Sequence, residues 1–187
     1  MNTHRRTTPY LVILGLVVAA CFLISSAAQA EETSTGGSEE INQLFSQMKT
    51  ETMELERDAD ELALWTKHPH ISWQGHAQKL NEMEEDVNRA GKILAELHKA
   101  RASASPWQQE AIDRVYPMLK EMADDTQSTI EHFSEHKSHT YLPPYTDYAR
   151  ANYELAQDLA ALINDYVEYG DHEAEFLRLQ EKLQAAK

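Results

Sequence analysis

The chain has 187 residues, with 17 Lys and Arg against 31 Asp and Glu, a formal charge of −14, and one cysteine. That length suits a single domain able to bury its own core. The excess of acid leaves no basic face for nucleic acid or anionic lipid, and it suits a protein partner or a cationic one.

Residues 1–30 read as a cleavable signal peptide. Arg5 and Arg6 give a basic start, Leu11–Ile24 an apolar run, and Ala28-Gln29-Ala30 the small-x-small pattern before a polar mature start at Glu31. The apolar run falls short of the roughly twenty residues that a membrane helix needs, so no stable span is expected after processing. The expected location is the periplasm or the extracellular space. A second reading is a lipoprotein: Val18-Ala19-Ala20-Cys21 resembles a lipobox, although apolar Phe22-Leu23-Ile24 follows where a polar tether is usual. Processing after Ala30 removes Cys21, so no internal disulfide can form, and losing Arg5 and Arg6 takes the formal charge to −16. The absence of an Asn-x-Ser/Thr acceptor fits a bacterial source.

Residues 31–37, Glu-Glu-Thr-Ser-Thr-Gly-Gly, are polar with nothing to bury and are expected as a flexible leader. A single domain over 38–187 follows. Its first helix is predicted from an N-cap at Ser38 to Lys67, with Ile41, Met48, Leu55 and Leu62 recurring every seven residues; His68-Pro69 ends it. The second is predicted from about Ser72 to Ala102. Its seam of alternating three- and four-residue steps runs through Trp73, His76, Leu80, Met83, Val87, Ala90, Leu94 and Leu97.

The third helix opens on Ser105-Pro106-Trp107-Gln108, a capping box with proline at the first helical position. Its seam is Ile112, Val115, Leu119, Met122, Thr126, Thr129, Phe133 and His136. The fourth starts near Thr146, after a stiff Tyr141-Leu142-Pro143-Pro144-Tyr145 connection, with Tyr148, Leu155, Leu159, Leu162, Ile163 and Tyr166 turned inward. Gly170-Asp171 is expected to break or bend it and open a short fifth segment, Glu173–Leu183; continuation would cost about 1 kcal/mol. Amphipathic helices, short connections and sparse β-branched residues together predict an all-α fold: an antiparallel, coiled-coil-like up-down-up-down four-helix bundle.

Alternation of the helices would pool His68, His70 and His76 from the first connection with His132, His136 and His139 from the end of the third. His132 and His136 stand i, i+4 on one helical face, a spacing that can grip one divalent ion. Imidazole ligands suit Zn, Ni or Cu(II). Methionines on the seams, Met48, Met83 and Met122, fit gap-filling in the core.

Several motifs are missing from the sequence: Glu-x-x-His for a di-iron bundle, His-Glu-x-x-His, Cys-x-x-Cys-His for covalent haem, Gly-x-Ser-x-Gly, and a phosphate-binding glycine loop. No resident cofactor is expected on the leading reading. That reading is an exported, non-enzymatic bundle with a partner-binding or structural role. The alternative is a divalent-metal or haem protein built on the histidine-rich pole.

Overall fold

The computed structural model describes residues 25–186, with side chains over 39–186. The basic start, the apolar run Leu11–Ile24 and the lipobox-like Cys21 lie outside the described residues. Four α-helices carry the chain: α1 (Ser25–Trp65), α2 (Trp73–Ala100), α3 (Pro106–Glu135) and α4 (Tyr145–Ala185), with a 3-10 turn at Arg101–Ser103 after α2. Among the described residues there is no strand. The chain divides into two compact units at Gly36 and Gly37, and the bundle belongs to the second.

Two helix boundaries differ from the sequence expectation. Helical backbone begins at Ser25, so residues 31–37 lie within α1 and Ser38 is not its N-cap. Ala27, Ala28, Ala30 and the glutamates after them are strong helix formers, and extending a helix already nucleated is far cheaper than starting one. At the other end α4 runs unbroken through Gly170 to Ala185, so there is no separate fifth helix. The signals around α3 hold: Ser105 accepts from the Gln108 N–H, and the Gln108 side chain accepts from the Ser105 N–H at 2.8 Å. Ser72 caps α2 through the Gly75 N–H.

Cross-helix contacts fix the antiparallel order. Along α1 and α2, Glu51 meets Arg89, Asp58 meets Lys79, and Trp65 meets His76. Along α3 and α4, Trp107 meets Tyr169, Thr126 meets Asn152, and Phe133 meets Tyr145. Arg101 and His98, near the end of α2, meet Asp113 and Tyr116 near the start of α3.

The core has two halves. Ile41, Phe45, Leu94, Leu97, Ile112, Val115, Leu159 and Ile163 fill one. Leu55, Leu62, Leu80, Met83, Met122, Phe133 and Tyr145 fill the other. Beside the second half sits a polar layer in which every buried group has a partner. Thr126 donates to Asn152 Oδ1 at 2.9 Å, Asn152 Nδ2 donates to Thr129 Oγ1 at 2.8 Å, and Thr129 donates to the Asp125 carbonyl at 2.8 Å. Buried polar side chains carry a desolvation cost unless satisfied in this way.

Three expected seam residues face out: Trp73, His136 and Tyr148. Trp73 instead carries Lys137 over its ring. On α4 the inward positions are taken by Tyr145, Ala149, Asn152, Ala156, Leu159, Ala160 and Ile163. The three alanines let the helix approach its neighbours closely, which larger residues on that line would prevent.

Candidate functional site

The histidine-bearing pole is built from the end of α1, the first connection, the end of α3 and the start of α4. His76, in the first turns of α2, is wholly buried, packed edge-on to Trp65 and Tyr145. Its Nδ1 lies 3.1 Å from the Tyr145 hydroxyl, and its Nε2 makes no hydrogen bond. Burial lowers the His76 pKa below the usual 6.5 and raises that of Tyr145, so both rings are neutral near pH 7.

Tyr145 also stacks towards His132, with ring centroids 6.5 Å apart. His132, His136 and His139 come together as their spacing predicts. The first two are stacked at 4.4 Å with 16° between planes, and His139 follows at 6.2 Å. His136 Nδ1 lies 3.1 Å from the His132 carbonyl. A carbonyl can only accept, so Nδ1 carries the proton and the Nε2 lone pair is the one open to a ligand.

The six predicted histidines do not converge on one point. His68 and His70 are exposed in the first connection, and the Tyr145 ring lies against both His76 and His132. Among the described residues no histidine belongs to a group of three or more ligand side chains close enough to share an ion; the group of that kind is Glu51, Glu54 and Asp86.

That group belongs to a charged seam between α1 and α2 which sequence reasoning missed. Lys79 is nearly buried and reaches Asp58 at 3.3 Å, Glu61 at 2.8 Å and Glu82 at 2.6 Å. Burial disfavours its charge, but the bonds to Glu61 and Glu82 and the Asp58 carboxylate outweigh this and raise its pKa. Further along the seam, Arg89 bonds Glu51 at 2.6 Å and also Asp86, and it approaches Glu54 at 3.5 Å. Asp86 is 3% exposed and its Oδ2 has no hydrogen-bond partner. Burial pushes its carboxyl up to about 6 against the pull of Arg89, with Asp58, Glu54 and Glu51 adding to the rise. The Arg89 guanidinium already occupies the space between these carboxylates, so the seam is an internal ion-pair network. Its signal in the sequence is the seven-residue step from Lys79 to Asp86, which repeats the period of the apolar seam.

The second missed feature is the end of α4. Gly170 is its last buried residue, and every residue over 171–186 is exposed. Phe176 is 66% exposed, Leu177 53%, Leu179 48% and Leu183 70%. Expecting a break at Gly170 cut Tyr169 and His172 off from Phe176, Leu179 and Leu183, which lie on one stripe with them along the unbroken helix. Among the described residues no helix is long and apolar enough to cross a membrane. No protein-family model, characterised protein or solved structure matches the chain.

Proposed function

We propose that the protein is an exported, non-enzymatic helical bundle that works by holding another protein chain against the apolar face of the last four turns of α4. One observation carries this reading: Phe176, Leu177, Leu179 and Leu183 stand 48–70% exposed within three turns, in a stretch of helix where no described residue is buried. Scattered surface leucines are ordinary, whereas clustered ones on a projecting helix are the usual mark of a protein-binding face. Export is supported by Arg5, Arg6, the apolar run and Ala28-Gln29-Ala30.

The test is a photo-crosslinking residue placed at Leu179, in cells that make the protein, with Glu121 on the exposed face of α3 as the control. Discrete protein adducts at 179 and none at 121 are expected. Equal labelling at both positions, or none at either, would overturn the reading.

A second reading is a divalent-metal site for Cu, Zn or Ni on the His132–His136 pair, with water completing the ion's coordination. It is favoured by the stacked His132–His136 pair and by the free Nε2 lone pair that the His136 hydrogen bond leaves.

A further inference from the structure

We propose that the last turns of α4 pair antiparallel with the same segment of a second copy of this chain. The inference rests on the partner-binding reading above and names the partner. Over 171–186 the helix runs about 24 Å with no side chain buried. These turns extend a helix that is already nucleated but leave their apolar face in water, and a partner helix would supply the burial that the bundle does not.

The stripe Tyr169, His172, Phe176, Leu179, Leu183 steps three, four, three, four, the a and d positions of a coiled coil. With Phe176 at a and Leu179 at d, the flanking positions are Glu168, Glu173, Glu175, Gln180 and Lys182. The charges at these positions choose the direction. In an antiparallel pair that layers Phe176 on Leu179 of the second copy, and His172 on Leu183, Glu175 falls beside Lys182 of the second copy. The two-fold symmetry repeats the pair, and Gln180 falls beside Glu173 of the second copy. In the parallel, in-register pair Glu168 falls beside Glu173 of the second copy, a like-charge contact made twice, and Glu175 meets only Gln180. Opposite charges on one side and repulsion on the other favour the antiparallel arrangement. The symmetry is closed: the patch is its own complement, so pairing stops at a dimer.

An interface of about two and a half heptads is small, so dissociation constants of roughly 1–100 µM are expected. Sedimentation velocity of the exported chain across that range should show a monomer passing to a dimer. Phe176→Glu with Leu183→Glu should remain monomeric at every concentration, with helicity and melting of the bundle unchanged, because both residues are exposed in the monomer. Glu175→Lys and Lys182→Glu should each weaken the dimer by about tenfold, and the double exchange should restore it. A chain that is monomeric throughout overturns the proposal, and so does a dimer indifferent to Phe176→Glu or to the charge exchange. The two readings fail separately: a monomeric chain that still gives adducts with a different protein at 179 removes the second copy alone, whereas no adduct at 179 removes the partner-binding face itself.

Discussion

Trp107 lies against Gly170 so closely that a Cβ at position 170 would meet the indole at 2.9 Å. The ring is held there by Phe45 at 6.0 Å, Tyr166 at 6.4 Å and Tyr169 at 5.4 Å, and its Nε1–H donates to Glu173 at 2.6 Å. This packing explains why α4 passes through a glycine without breaking. The helix-propensity cost of about 1 kcal/mol is offset by seating a tryptophan on bare backbone.

Gly170→Ala therefore destabilises the bundle, although alanine is the better helix former. The displaced indole should cost about 1–3 kcal/mol against a propensity gain of about 1. Gly91, exposed in α2 with nothing within 4 Å of its virtual Cβ, is the control. Gly91→Ala should stabilise by roughly 0.5–1 kcal/mol. Urea unfolding followed by circular dichroism measures both, and a gain in stability at position 170 would refute the packing account.

Asp86→Asn should stabilise the protein at pH 8 and do nothing near pH 4. In the folded chain the carboxyl titrates at about 6, against 3.8 for an ordinary aspartate, so the folded state holds the proton more tightly. Its contribution to stability thus rises as pH falls through 6 and levels off below about 4. At pH 8 the buried carboxylate costs on the order of 2 kcal/mol, which the neutral amide avoids while Arg89 keeps Glu51. Melting temperatures of parent and variant between pH 4 and pH 8 should converge at the acid end. Parallel curves would show that Asp86 is not the group responsible.

Tyr145→Phe would leave His76 buried with neither ring nitrogen hydrogen-bonded, since Nδ1 has the Tyr145 hydroxyl and Nε2 has no partner. The expected cost is about 1–3 kcal/mol. Adding His76→Leu should recover much of it, because removing both polar partners leaves nothing to satisfy. Strictly additive losses would contradict the pairing.

For the metal reading, calorimetric titration of Zn and Cu(II) into the parent should show one saturable site. A His132→Ala, His136→Ala variant should lose it. Because ligation needs neutral imidazole, binding should weaken as pH falls through about 6. Equal affinity in the two proteins would retire the site.

Much of the fold was legible because its causes are local. Ile41, Met48, Leu55 and Leu62 recur every seven residues, and all four are fully buried. The Ser105-Pro106-Trp107-Gln108 cap forms as its residue types require. Thr126 and Thr129, expected on the seam of the third helix, are buried and bond Asn152 of α4. The candidate site was less legible. Spacing along α3 gathered His132, His136 and His139, but it could not reveal that the Tyr145 ring lies against both His76 and His132. Nor could it show that His68 and His70 stay exposed.

The sequence by itself determined the helices, their order and most of their buried faces, because period and capping are properties of neighbouring residues. Only the tertiary structure decided whether α4 continues past residue 170, since the reason lies sixty-three positions away in Trp107. It also decided which acids are buried: Asp58 and Asp86 look like solvated surface until α1 and α2 close over them with Lys79 and Arg89 between. Burial of a charge depends on what packs across from it, and that partner comes from another helix.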